Sequence, residues 1–155
     1  MVFTQANREG TLRERLNRLY DDLAELTKPR SQFRTKYILG GVWRLHVGHK
    51  AEDGDWNLHF DSLWETREMP AFAIEREWRR ISGSSAEVEQ VRRHALSFRD
   101  ISKYVMKVPF YDFRVKDVES AQRNAGLLEE YADAIGRRRK IVYTGTWRRR
   151  PRKRG

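Results

Sequence analysis

The sequence predicts an α+β protein in which helices pack on one face of an antiparallel β-hairpin. Residues 40–50 and 55–65 alternate apolar and polar side chains with period two, which is typical of half-buried strands. Residues 11–26 carry leucines at spacings of four and three, which is typical of an amphipathic helix. The 155 residues include five Trp, six Tyr and seven Phe, enough for a single domain with one core.

The leucine helix has recognisable ends. Thr11 and Glu14 form the capping-box pattern, and Pro29 stops a helix at the residue before it. We expect its apolar stripe to pack against a sheet; packing against a partner helix is the alternative. The stripe consists of Leu12, Leu16, Leu19, Leu23 and Leu26.

The hairpin consists of "GGVWRLHVGHK" and "DWNLHFDSLWE", joined by "AEDG", which contains an Asp-Gly turn signal. Alternation divides its side chains between two faces. The face expected to pack on helices, here named the core face, carries Trp43, Leu45, Val47, Trp56, Leu58, Phe60 and Trp64. The other, here named the histidine face, carries Arg44, His46, Gly48, Asn57, His59 and Asp61.

The loop length decides which residues of the histidine face lie opposite each other. A four-residue loop places His46 opposite His59, whereas a two-residue Asp-Gly loop places it opposite Asp61. In both registers His46, His59 and Asp61 are neighbours, whereas a loop of odd length would break this alignment. Two imidazoles and a carboxylate suit Mn²⁺, Mg²⁺ or Zn²⁺ and are candidate ligands of a divalent metal; solvated histidines on a polar face are the alternative.

The remaining elements follow in order. We expect a helix over residues 70–81 and a break at "SGSS". A short strand near 87–92 and a helix over about 98–107 come next. A helix over about 117–135, with a candidate interruption at Gly126, and a last strand over 140–147 complete the chain.

Charge is concentrated at the C-terminal end. The net charge is +10, and residues 137–155 hold ten of the 32 Lys/Arg and none of the 22 acidic residues. We expect residues 1–147 to form one domain and 148–155 a basic tail that binds nucleic acid phosphates; a solubilising or localisation tail is the alternative. The DNA-contact prediction comprises Arg148, Arg149, Arg150, Arg152, Lys153 and Arg154, with Arg44 on the sheet.

Several classes of protein are excluded by composition. The chain has no Cys, so it has no disulfide scaffold, thiolate metal site or cysteine nucleophile. No apolar run reaches membrane-spanning length, and residues 1–10 are not a signal peptide. We expect a soluble, cytoplasmic protein.

The segment "DISKYVMKVP" holds Tyr104 and Lys107, which share a face of the expected helix. A tyrosine with an ordinary pKa is a poor nucleophile unless a cation or a polarised phosphate assists it. From the residues alone we interpret the pair as one core tyrosine and one solvated lysine on an amphipathic helix.

The ordered set "GGVWRLHV", "WNLHFD", "WRRISGSS", "KYVMK" and "GRRRKIVYTGTW" resembles the HUH endonuclease superfamily, in particular rolling-circle replication initiators of plasmids and viruses. The similarity extends over residues 11–147. It departs from the family at two ligand positions: His46 replaces a glutamate, and Asp61 replaces the second histidine of a signature pair begun by His59. Asn57 replaces an upstream histidine. The count of two imidazoles and one carboxylate is retained.

The resemblance implies a ferredoxin-like sheet with helices on one face, and a metal-dependent enzyme that nicks and rejoins single-stranded DNA at a replication origin. Tyr104 would be the nucleophile and form a 5′-phosphotyrosine, with Lys107 stabilising negative charge. His46, His59 and Asp61 would bind Mn²⁺ or Mg²⁺. A host helicase or polymerase would be a partner, because the chain has no phosphate-binding loop of its own, and the setting would be a prokaryotic cytoplasm.

Three alternatives stay open. One is a DNA-binding relic of the same fold that does not cut. Another is an unrelated basic protein whose hairpin stacks bases, which requires exposed tryptophans. The third is a metal-dependent nuclease that uses activated water in place of Tyr104.

Overall fold

A computed structural model of the protein describes residues 2–4, 9–50, 55–87 and 118–146. Across these residues the chain forms an antiparallel sheet with helices packed against it, which confirms the α+β class. The sheet order is β4-β1-β3-β2-β5, and β4 is a two-residue edge strand. The elements in chain order are β1 (Val2–Thr4), α1 (Leu12–Leu26), α2 (Gln32–Tyr37), β2 (Ile38–Lys50), β3 (Asp55–Thr66), α3 (Ala71–Ser82), β4 (Ala86–Glu87), α4 (Val118–Ile135) and β5 (Ile141–Gly145).

Helix α1 begins and packs as its sequence predicts. The Thr11 hydroxyl accepts a hydrogen bond from the Glu14 amide at 3.3 Å, and the Thr11 amide donates to the Glu14 carboxylate at 2.8 Å. This reciprocal pair satisfies two amides that the first turn leaves without helical partners. All five leucines of the stripe are buried, so the stripe faces the sheet and not solvent.

Strands β2 and β3 form the hairpin in the register of a four-residue loop. Lys50 lies opposite Asp55, and the pairing continues back to Gly40 opposite Glu65. On the core face, Leu45 lies opposite Phe60. Residues 51–54 lie outside the described residues, but the register of the flanking strands settles which side chains are neighbours.

The core lies between the core face and the helices α1, α3 and α4, all of which contribute buried residues. Phe3 of β1 is fully buried, with its ring 5.0 Å from that of Trp43 and 4.9 Å from that of Trp78. Each such aromatic pair adds about 0.5–1.5 kcal/mol beyond the burial of its area. The expectation that the apolar side of the hairpin packs on helices is therefore confirmed.

Glycines end two of the predicted elements. Helix α3 stops at Gly83, whose φ of 71° is left-handed and favours glycine. Strand β5 stops at Gly145, with φ of 57°, where a Cβ would collide with the Leu39 carbonyl. The close approach of β5 to β2 therefore depends on a residue without a side chain.

Two elements were not expected from the sequence, and one expectation was wrong. The three-residue strand β1 and the six-residue helix α2 have no strong periodicity of their own.

Helix α4 continues through Gly126, at a cost of about 1 kcal/mol relative to alanine, and is not interrupted there. The expected helix over 98–107 and most of the strand near 87–92 lie outside the described residues.

Candidate metal centre

The histidine face brings the three predicted ligands together. His46 of β2 lies opposite His59 of β3, and Arg44 lies opposite Asp61. Because Asp61 is two residues from His59 along β3, both side chains point to the same side of the sheet. Within the described residues, His46, His59 and Asp61 form the one group of three candidate ligands, with donor atoms that all lie within 4.8 Å of one another.

Asp61 lies close to both imidazoles. Its Oδ2 atom is 2.8 Å from Nε2 of His46, and its Oδ1 atom is 3.9 Å from Nε2 of His59. The two imidazole rings are stacked with centroids 5.0 Å apart and an angle of 3° between their planes. The carboxylate thus has one oxygen near each ring, a typical arrangement for a shared cation or a shared proton.

The three side chains are neither core residues nor fully solvated. Their exposed fractions are 17% for His46, 23% for His59 and 19% for Asp61. This degree of exposure leaves room for a small ion or a phosphate to approach while excluding most bulk water. Partly solvated histidines on a polar face, without a metal, stay the alternative interpretation.

The electrostatics of the group are favourable for an ionised carboxylate. Burial of the Asp61 carboxyl opposes ionisation, but contact with His46 and the nearby His59 outweigh burial and hold the pKa of Asp61 below its ordinary value. Asp61 is therefore an anion at neutral pH, which is the form that binds metal.

The donor set fits a divalent cation. Two ligands of one ion, at bonds of about 2.0–2.2 Å, lie up to about 4.4 Å apart, so a span of 4.8 Å requires only a small side-chain adjustment. The Nε2 atom of His46 is buried and lies 2.8 Å from Oδ2 of Asp61. A cation held by this nitrogen and the carboxylate would take the place of a proton between them.

Arg44 also lies on the histidine face but is buried, with 8% of its surface exposed. Burial lowers the pKa of Arg44, and the Asp61 carboxylate opposes this shift. A solvated arginine was the alternative expected from sequence, and the burial excludes it. Contact between Arg44 and DNA stays a prediction; the structure places its charge beside the ligand group.

Strand β1 flanks the centre on its other side, a feature that sequence reasoning missed. Thr4 lies opposite His59, and Val2 lies opposite Asp61. The Thr4 hydroxyl is 3.0 Å from the Ser84 hydroxyl and donates to the Ser85 carbonyl at 3.1 Å. The only sequence signal was the alternation in "VFT", too short to distinguish a strand from a loop.

A buried arginine on the core side anchors the start of β3. The Arg15 guanidinium of α1 donates to Oδ1 of Asp55 at 2.6 Å and to the Trp56 carbonyl at 2.6 Å. These bonds connect α1 to the strand that carries His59 and Asp61. The position of the ligand group therefore depends on the helix layer as well as on the sheet.

Other predicted site residues are not described. Tyr104, Lys107 and the basic tail, with Arg148, Arg149, Arg150, Arg152, Lys153 and Arg154, lie outside the described residues.

Comparisons with protein-family models, with curated proteins and with solved structures find no match for this chain. Within the described part of the chain, none of the helices is both long and apolar enough to cross a membrane.

Proposed function

We propose that the protein is a metal-dependent endonuclease that nicks and rejoins single-stranded DNA at a replication origin, in the manner of the HUH superfamily that its motifs resemble. One observation carries this proposal. The strand register places two imidazoles and a carboxylate together on the histidine face, although two of the three ligand positions differ in residue type from the family pattern.

The order of the elements supports the finer fold assignment. The succession β1-α1-β2-β3-α3-β4, with α2 as an addition before β2, follows the β-α-β-β-α-β order of ferredoxin-like domains. The corresponding strands lie in the order β4-β1-β3-β2, and β5 extends the β2 edge. We assign a ferredoxin-like sheet with one extra strand on this basis.

His46, His59 and Asp61 would hold Mn²⁺ or Mg²⁺, which when bound supplies a Lewis acid for the scissile phosphate. Arg44, buried beside Asp61, adds positive charge to the same face and favours a phosphodiester over neutral ligands. Because the three ligands are only partly exposed, the histidine face would also limit the access of competing water.

The covalent chemistry is assigned to Tyr104. Its phenolic oxygen would form a bond to phosphorus as the bond from phosphorus to the 3′-oxygen breaks; the phenol loses its proton and the leaving 3′-oxygen gains one. The products are a 5′-phosphotyrosine and a free 3′-OH available to a host polymerase. Attack by a DNA 3′-OH reverses the step, and Lys107 would stabilise charge on the phosphate in both directions.

The basic tail would supply contacts to DNA that do not depend on base sequence. The described residue nearest to it in the sequence is Thr146, whose amide donates to the Leu39 carbonyl at 3.0 Å. Thr146, two residues before the predicted tail, is thus bound to β2, the strand that carries His46. A host helicase or polymerase in a prokaryotic cytoplasm would complete the replication step.

The test is covalent capture. Incubate the full chain with a randomised pool of labelled single-stranded oligonucleotides and Mn²⁺, denature, and separate by size. We expect an adduct that disappears in Tyr104→Phe and in His59→Ala but persists in Tyr111→Phe, the matched control for a neighbouring phenol. Cleavage without an adduct would instead indicate activated water as the nucleophile, and absence of any cleavage would contradict the enzymatic proposal.

A second candidate is a DNA-binding relic without nuclease activity. The 2.8 Å contact between His46 and Asp61 favours it, because a protonated imidazole beside a carboxylate is a satisfied ion pair without metal. This function predicts DNA binding that is the same with Mn²⁺ and with a chelator. The covalent-capture experiment then yields no adduct under any condition.

A further inference from the structure

Tyr143 lies on the histidine face, on the edge strand of the sheet. It pairs with Val42 of β2, and Ile141, two residues earlier on the same strand, pairs with Arg44. Because directly opposite residues of an antiparallel pair share a face, Tyr143 lies on the same side of the sheet as Arg44 and Asp61. The side chain is on the surface where the proposed function would bind DNA.

The ring of Tyr143 is unusually accessible for that surface. It is 46% exposed, whereas its partner Val42 is 2% exposed. Trp43 and Trp56, the aromatic residues of the hairpin that would otherwise be candidates for stacking, are buried on the core face. Among the described residues, Tyr143 is the one large exposed aromatic side chain on the histidine face, and only Phe72 on α3 is comparably exposed elsewhere.

The spacing between Tyr143 and the ligand group suits one bound strand. Asp61 and Tyr143 are separated by two strand spacings and by two residues along the strands, so their Cα atoms are about 12 Å apart. This corresponds to about three or four nucleotides at a rise of 3.4 Å per stacked nucleotide. A single strand with one phosphate at the ligand group would therefore carry a base over Tyr143.

We propose that Tyr143 stacks on a base of single-stranded nucleic acid that crosses the histidine face, three or four nucleotides from the phosphate at the ligand group. The proposal rests on the function proposed above and adds a residue of this chain that contacts the bases of the substrate. Stacking needs an open base face, so it selects single strands over duplexes and does not depend on base identity. The aromatic ring makes the contact, and the hydroxyl is not required.

The test measures binding, not cleavage, so that it is independent of the nuclease chemistry. Fluorescence anisotropy with a labelled oligothymidylate in chelator gives the dissociation constant of the full chain and of each variant. We expect Tyr143→Ala to weaken binding about 5- to 150-fold and Tyr143→Phe to change it less than about twofold. Phe72→Ala, which removes a more exposed aromatic ring from α3, is the matched control and should also change it less than about twofold.

Two further probes separate stacking from other contacts. An abasic strand of equal length keeps the phosphates and lacks the bases, so Tyr143→Ala should bind it as the parent protein does. The dependence of binding on salt should be the same for Tyr143→Ala and the parent, because no phosphate contact is lost. Thermal midpoints equal to that of the parent protein show that the variants are folded.

Several outcomes would overturn the proposal: no loss in Tyr143→Ala, an equal loss in Tyr143→Phe, an equal loss on the abasic strand, or no binding of single strands by the parent protein. Failure of the proposed function is a different result. Suppose that the parent protein forms no adduct and cleaves no DNA with Mn²⁺, while Tyr143→Ala still weakens binding in chelator. That result would support the stacking contact and contradict the endonuclease proposal.

Discussion

Phe60 and His59 are adjacent in β3 and lie on opposite faces of the sheet. Phe60 is fully buried against Tyr20 and the core, whereas His59 is partly exposed beside Asp61. The same strands therefore carry a face whose residues stabilise the fold and a face whose residues are available for chemistry. The ligand group lies on the face of the sheet opposite the packed core, so its side chains can be replaced without removing core residues.

The largest effect is expected on the core face. Phe60→Ala should lower the free energy of unfolding by about 3–5 kcal/mol, because it removes a buried ring and leaves a cavity. His59→Ala, one residue away, should lower it by less than about 1 kcal/mol. Denaturant unfolding of both variants measures the difference, and equal losses would mean that the histidine face belongs to the core.

A buried charge on the core side should also be costly to remove. Arg15→Ala should destabilise the protein by about 3 kcal/mol, because Asp55 and the Trp56 carbonyl lose a buried partner. Arg13→Ala breaks an ion pair with Asp133 that is mostly exposed, and should cost less than about 1 kcal/mol. If the two variants unfold at the same denaturant concentration, Arg15 does not anchor β3.

Metal binding should stabilise the protein through the histidine face alone. Mn²⁺ at one hundred times its dissociation constant should add about 2.7 kcal/mol and raise the thermal midpoint by about 5–10 °C. Asp61→Asn should abolish this increase, and Phe60→Ala should retain it despite a lower starting midpoint. An increase that survives in Asp61→Asn would place the metal elsewhere.

The smallest effect concerns a carboxyl group of the helix layer. Burial, with the charge of Asp21, raises the pKa of Asp22 to about 6, and Arg18 opposes this. Because the folded state holds the proton more tightly than the unfolded state, this group makes the protein less stable as the pH rises from about 4 to about 6. Asp22 is only half-buried, so the change should be about 1 kcal/mol, smaller than the full linkage value.

Asp22→Asn should remove that part of the pH dependence. Thermal midpoints of the parent and the variant at pH 4.5 and pH 7 give the measurement. The pKa values of Asp22 and Asp61 shift in opposite directions, because Asp22 is half-buried near the charge of Asp21 whereas Asp61 lies beside two imidazoles. A variant with the same profile as the parent would show that Asp22 titrates normally.

Much of the fold was predictable because its signals are local. The capping box at Thr11, the leucine stripe, and the alternation of β2 and β3 each depend on residues within a few positions of one another. The missed elements lack such signals: β1 is defined by pairing with β3 and β4, and α2 has only six residues. The role of Tyr104 and of the tail stays a prediction.

The sequence by itself determined that His46, His59 and Asp61 share one face, because side chains alternate along a strand and both candidate loop lengths were even. It left two registers open, and it did not reveal that Arg44 is buried, that β1 lies beside the ligands, or that Tyr143 lies exposed at the sheet edge. Tertiary structure decided these points, because strand pairing and burial depend on contacts between segments far apart in the chain, which no local pattern specifies.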